Sequence, residues 1–386
     1  MKIALLTLSL LVSGLLIAQP ECETRIADTL EYQILESAIQ TPLTAARSDC
    51  NTIRVVVHVV YDGSIENTFY NGKISPEQVK SQIRITNQFF ANDSLMQNEG
   101  ATLGYQVQLA NTDPEGNPTT GIIYHDGYAL FGEAWSTYGL KNNNPNAISA
   151  ATLASTLSWG TDANGKKYLN SYVVSSIDGN TGGGVQAFAY FPTTSIVFAN
   201  YNLYNAFGAE QLEHEYDQTF NLKSYTDLGH TWTHELLHNF AVYHTFEGQS
   251  CAAEANPLTQ GDKVADTPPQ TKGSGCSGAC GTISYNVMDY LNQTCKFLIT
   301  QGQVDRATTA IEQSLIHFLV CDDEVEGDDC DDKTSDFNDD GSINLLDVSL
   351  FSQSFGCSAG ASCYNPVFDL NCDGHINVLD FSQIAF

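Results

Sequence analysis

The sequence predicts an α+β chain carrying a second, smaller module, and three observations predict it. Between residues 51 and 320, β-branched runs are interspersed with three strongly periodic helical segments, the pattern of a mixed sheet packed by helices. Within that region, "HELLHNFAVYH" (His234 to His244) places histidines on one helix face. Past Cys321 the chain turns acidic and then repeats itself.

From the start, Lys2 is followed by an apolar run, Ile3 to Leu16, closed by Ile17-Ala18. Residues 1–18 therefore read as a secretory signal, and the protein as secreted, extracellular or cell-surface associated. No later stretch of 18 or more apolar residues follows, so no membrane span is expected. Residues 19–50 are polar, with one amphipathic stretch, "LEYQILESAI", and read as a propeptide preceding the first sheet strand. "IRVVVHVVY" from Ile53 is that strand. In "SPEQVKSQIRITNQFF", Ser75 is the N-cap, Pro76 the first helical residue and Gln78 the third, with Val79, Ile83 and Phe90 as an apolar stripe. Strands follow at "YQVQLA", "SYVVSSI", "VQAFAYF" and "SIVFANY". The motif helix has Asp227 as its N-cap, and a last helix opens with Thr300 and Gln303 as a capping box. Residues 51–320 thus form one domain, 321–335 an acidic linker and 336–386 the repeat module.

The formal charge is −29, from 45 acidic and 16 basic residues. Nucleic acid is excluded as a partner, because its phosphates demand Lys and Arg. Positions 321–386 hold 15 Asp or Glu against one Lys. Such a block is either a solvated tail or spaced to hold calcium. Eleven cysteines, an odd number in an exported chain, predict disulfides with at least one thiol left over or paired elsewhere.

On a helix, positions i and i+4 share a face, so His234 and His238 can grip one ion. Glu235 projects beside that ion, where a general base toward an attacking water belongs. His244 lies six residues beyond His238, so the chain must turn after about Phe240 to bring it back. The five-residue HExxH pattern alone arises by chance, but with nine histidines in 386 residues a random third at a chosen position is roughly a one-in-forty event. Three imidazoles with one open position make a catalytic zinc site. A methionine turn completes the metzincin pattern, and "NVMDY" supplies Met288.

Residues 184–306 resemble the catalytic domain of pappalysin-family metzincins, the ulilysin-like branch, through "HELLHNFAVYHTFEG", "GDKVADTPPQ", "YNVMDY" and "CKFLITQGQVDR" in that order. The earlier "RVVVHVVY" and "GGGVQAFAYF" are similar to the family's upper-subdomain strands. The resemblance implies a zincin catalytic domain with a mixed sheet, motif helix and methionine turn. It implies a zinc metalloendopeptidase acting on proteins or peptides, with Glu235 as base, Tyr290 stabilising the oxyanion and Met288 structural. It also implies disulfides Cys251–Cys280 and Cys276–Cys295. "GDKVADTP" has two readings: the resemblance suggests calcium near Asp266 and Thr267, whereas the residues alone suggest a turn held by Asp266 and stiffened by Pro268-Pro269. The family has glycine where this chain has Ala241, at a position where the backbone leaves the helix with φ > 0. Cys22 likewise has two readings, a zinc-blocking thiolate released by cleavage near Arg47-Ser48 or a disulfide to Cys50.

"DFNDDGSINLLD" (336–347) and "DLNCDGHINVLD" (369–380) are offset by 33 residues. Oxygen donors fall at loop positions 1, 3, 5, 9 and 12: Asp336, Asn338, Asp340, Asn344 and Asp347, then Asp369, Asn371, Asp373, Asn377 and Asp380. Glycine at position 6 permits the sharp loop, so this is calcium logic of the EF-hand type. The pair resembles a dockerin, a small α-helical module, and implies a cohesin-like partner. Two functions follow from the whole: a secreted zinc endopeptidase with a calcium-binding module, or a calcium-dependent docking protein with a weak protease domain. Retention of Glu235 favours the first.

Overall fold

The structure is a computed structural model. It describes residues 21–22, 36–37, 39, 50–66, 71–92, 100–179, 185–192, 201–205, 230–273, 276, 280–281, 285–292, 295–321, 335, 337, 343–358, 363–371 and 375–384. The signal segment, Asp227, most of the acidic linker, and Asp336, Asn338, Asp340 and Asp373 lie outside the described residues. The chain divides into two compact units, 1–322 and 323–386.

In the first unit, strands β1 (Glu21–Cys22), β2 (Thr52–Tyr61), β3 (Gln106–Leu109), β4 (Ile122–Asp126), β5 (Leu169–Val174), β6 (Val185–Ala189), β7 (Tyr201–Asn205) and β8 (Leu319–Val320) form one mixed sheet. β2 is its centre. One edge of β2 pairs in parallel with β3 and then β4; the other pairs in parallel with β5 and, at Thr52 and Ile53, antiparallel with β8. β7 runs parallel to β5, β6 lies antiparallel to β7, and β1 adds in parallel to β6. The central strand is apolar on both faces because both are covered. Ile53, Val55, Val57 and Val59 pack toward helices α1 (Pro76–Ala91) and α5 (His230–Asn239), meeting Phe90, Trp232 and Leu236. Val60 joins the opposite cluster, with Trp135, Leu153 and Tyr172. That side carries the short helices α2 (Gly127–Phe131), α3 (Glu133–Tyr138) and α4 (Ala150–Leu157).

The predicted capping boxes are present. Ser75 and Gln78 cap α1, and Thr300 and Gln303 cap α6 (Gln301–Ser314). Of "SIVFANY", only Tyr201 is described, and it opens β7. Cys251 pairs with Cys280 and Cys276 with Cys295. The Cys22–Cys50 disulfide does not form, because Cys50 bonds Cys321 over a separation of 271 residues. β2 and β8 are paired antiparallel beside these cysteines, and this brings the two together.

The second unit holds α7 (Leu345–Phe351), α8 (Val378–Phe381) and a Cys357–Cys363 bond. Its core uses equivalent positions of the two repeats: Ile343 with Ile376, Phe337 with Leu370, and Phe351 with Ile384.

His58, mid-β2, is fully buried and stacked on Tyr172. Asn170 Oδ1 already accepts Trp159 N–H at 2.7 Å, while its Nδ2 donates to the carbonyls of Trp159 and Tyr168. That oxygen therefore takes the proton of His58 Nε2 at 3.0 Å, and His58 Nδ1 accepts from His125 Nε2 at 3.0 Å. Burial holds His58 down to about 3 and lowers His125 as well. A histidine depressed in the folded state contributes stability that is complete above the unfolded value near 6.5 and is lost as pH falls toward the folded one. His58→Gln keeps hydrogen-bonding capacity and cannot titrate. Urea unfolding between pH 6 and 4 should lose up to about 1.4 kcal/mol per pH unit of slope relative to the parent. Identical slopes would contradict this assignment.

Candidate metal centre

Helix α5 lies in the core with every residue from Trp232 to Asn239 buried. It is fixed by Trp232 Nε1 donating to Ser171 Oγ on β5 at 2.8 Å and by Thr233 against Thr86 of α1 at 2.9 Å. Its end is a Schellman turn. Val242 N–H reaches Leu237 O and Ala241 N–H reaches His238 O, each at 3.0 Å, with Ala241 at φ 64°. This is the 6→1 and 5→2 pattern that a left-handed residue just past a helix produces. The reversal brings His244 back over the helix face.

His238 Nε2 lies 3.1 Å from both His234 Nε2 and His244 Nε2. Among the described residues these three form the one cluster of His, Cys, Asp and Glu whose ligand atoms converge, all within 4.8 Å. Two of them set their other ring nitrogen on a carbonyl: His234 Nδ1 is 2.7 Å from Val287 O, and His238 Nδ1 is 2.7 Å from Val242 O. A carbonyl only accepts, so Nδ1 carries the proton and Nε2 presents its lone pair to the centre. Desolvation pushes all three imidazoles well below the ordinary histidine range, His238 to about 3, which keeps them neutral. Buried lone pairs facing one another repel unless a cation sits between them. Tetrahedral zinc with Zn–N near 2.0–2.1 Å spaces its nitrogens by roughly 3.3 Å, so the donor set fits zinc.

Glu235 is on the same helix and fully buried. Tyr290 lies at the centre's rim, its ring 5.0 Å from His244 and 6.1 Å from His234, with Lys272 Nζ 4.6 Å over it. Met288 is fully buried in the main core beneath the turn, and its carbonyl accepts from Thr245 N–H. Asn286 Oδ1 holds Met288 N–H at 2.9 Å. Asp289 accepts from Tyr290 N–H at 2.7 Å and from Gln270 Nε2 at 3.0 Å. Gln270 also reaches Thr245, so the two loops are pinned to each other.

The structure sends Asp266 and Thr267 in different directions. Asp266 accepts from Thr300 Oγ1 at 2.7 Å and Gly302 N–H at 2.8 Å, capping α6. Thr267 donates to Asp262 Oδ2 at 2.6 Å. Burial pushes the Asp262 carboxyl up to about 7. Sequence reasoning missed Asp262, and also Phe246, whose ring stacks on His244 at 4.7 Å. The one available signal for Phe246 was an aromatic two residues past the third histidine. In the second unit, Asp347 and Asp380 are fully buried. Asp347 accepts from the amides of Phe337 and Asn344, and Asp380 from those of Asn371 and Asn377. Asn344 and Asn377 cap their helices, and Asp369 accepts from Tyr364.

Residues 158–312 match the peptidase family model described as pregnancy-associated plasma protein-A, and residues 334–385 match the type I dockerin domain. An extracellular metalloprotease of Sordaria macrospora is 29% identical over 54% of this chain and 73% of its own length. An extracellular metalloprotease of Verticillium alfalfae is 27% identical over 72% of this chain and 81% of its own. A promirolysin mutant of Tannerella forsythia shares the fold, with TM-score 0.55 at 24% identity over 75% of this chain and 91% of its own. The chain is thus similar to pappalysin-like metzincins over residues 158–312 and to dockerin domains over residues 334–385.

Alanine in a left-handed conformation is strained by about 1–2 kcal/mol. Glycine relieves that strain but adds roughly 0.4–1 kcal/mol of unfolded-chain entropy. Ala241→Gly should therefore raise stability by up to about 1.6 kcal/mol. Calorimetry would read this as a higher melting temperature, and a lower one contradicts the strain.

Proposed function

We propose that this protein is a secreted zinc-dependent endopeptidase whose C-terminal repeats bind calcium. The observation that carries the reading is the convergence of three neutral, buried Nε2 atoms, with Glu235 on the same helix and Tyr290 at the rim. His234, His238 and His244 would hold the metal. Bound zinc supplies a Lewis acid toward the scissile carbonyl and acidifies water.

Glu235 takes a proton from the attacking water as oxygen adds to the carbonyl carbon, then delivers that proton to the departing amine. Its burial keeps bulk water from competing as the acceptor. The Tyr290 hydroxyl donates to the oxygen on which negative charge develops. The extracellular names of the relatives and the N-terminal apolar run support export. Hard oxygen donors at matched positions of the two repeats support calcium over zinc in the second unit, and a cohesin-like scaffold is the partner that a dockerin domain fits.

Glu235→Gln should keep about one zinc per chain while proteolysis of casein falls by about 10²–10⁴-fold. His238→Ala should lose both metal and activity. Metal analysis beside a casein assay checks the pair, and wild-type cleavage by Glu235→Gln would refute the role of the base.

A further inference from the structure

A carboxylate from the N-terminal segment is buried against the turn that carries His244. Residues 36, 37 and 39 are helical, and Glu36 is only 6% exposed. Its Oε2 lies 3.0 Å from Lys263 Nζ, and its Oε1 accepts from Tyr243 Oη at 3.1 Å. Arg306 grips both carboxylate oxygens: one terminal nitrogen reaches Oε2 at 3.4 Å and the other bonds Oε1 more closely. The remaining guanidinium nitrogen, Nε, donates to Ala241 O at 2.6 Å. Both cations also lie over the Tyr243 ring, Arg306 at 4.8 Å and Lys263 at 4.9 Å. One helical turn on from Glu36, Ile39 packs against the cluster of Phe191, Ala241, Tyr243 and Ala310.

A fork from arginine, an ammonium and a phenol around one carboxylate form a built anion site. The partners lie more than 200 residues along the chain from Glu36, so sequence neighbourhood does not explain the match. Taking these charges out of water is unfavourable unless they are paired. Tyr243, Lys263 and Arg306 belong to the catalytic unit, and none of them is a metal ligand or part of the reaction described above.

We propose that Tyr243, Lys263 and Arg306 form a carboxylate-binding site, and that Glu36 occupies it to pin the N-terminal segment behind the metal-site turn. With Glu36 truncated, the site takes a free carboxylate in its place. Neither zinc nor catalysis enters this inference, so its failure is separable from that of the proposed activity.

The test compares the full-length chain with Glu36→Gln, Glu36→Ala and Lys263→Met. Hydrogen–deuterium exchange follows the amides around residues 36–39, with Thr52–Tyr61 as the folding control. Both Glu36 variants should exchange about tenfold faster at 36–39 and unchanged in the control strand, since a charge-assisted bond is worth more than the 1.4 kcal/mol that tenfold represents. Lys263→Met removes one donor of several and should give a smaller increase at the same amides. Sodium propionate, against equal sodium chloride, should raise the melting temperature of Glu36→Ala and leave the parent unmoved. Unchanged exchange at 36–39 in both Glu36 variants overturns the proposal. So does equal stabilisation of parent and variant by propionate, or loss of protection in the control strand along with 36–39.

Discussion

The candidate metal centre of the first unit depends on one backbone reversal. A continuing helix would carry His244 away from His234 and His238, and the left-handed residue Ala241 stops it after Phe240. The turn performs two tasks with the same atoms. Its hydrogen bonds satisfy carbonyls at the helix end, and the carbonyl it leaves at Val242 takes the Nδ1 proton of His238. The Ala241 carbonyl is bonded in turn by Arg306 from α6, so that helix helps hold the conformation. An unfavourable local conformation persists because the surrounding structure over-determines it.

Much of this was legible in the sequence because the signals are local. The i, i+4 spacing of His234 and His238 fixes a shared helix face, and the need for a turn follows from the six-residue gap to His244. Ser75 with Gln78, and Thr300 with Gln303, announce their helices through capping chemistry. Other features were illegible because they depend on distant partners. Nothing near Cys50 names Cys321, and β4 with the short helices α2 and α3 is too brief to show a period. Asp266 gives no sign in the sequence of its hydrogen bonds to Thr300 and Gly302, more than thirty residues on. The carbonyl partner of His234, Val287, lies 53 residues downstream and leaves no trace in side-chain chemistry.

The two units solve the problem of charge differently. In the first unit, several buried ionisable side chains among the described residues are paired, as Arg54 is with Asp162 and Arg306 with Glu36, or neutral, as the histidines are. In the second unit, buried Asp347 and Asp380 are satisfied by backbone amides. Each carboxylate thereby ties an amide near the start of its repeat to the cap of the helix that follows.

The central claim is that the Ala241 turn makes His244 a third ligand beside the helical pair. Zinc K-edge absorption spectroscopy of the full-length chain loaded with one zinc tests it directly. The account predicts three imidazole nitrogens at roughly 2.0–2.1 Å, reduced to two in His244→Ala. A spectrum that fits two imidazoles in the parent and does not change in His244→Ala would contradict it.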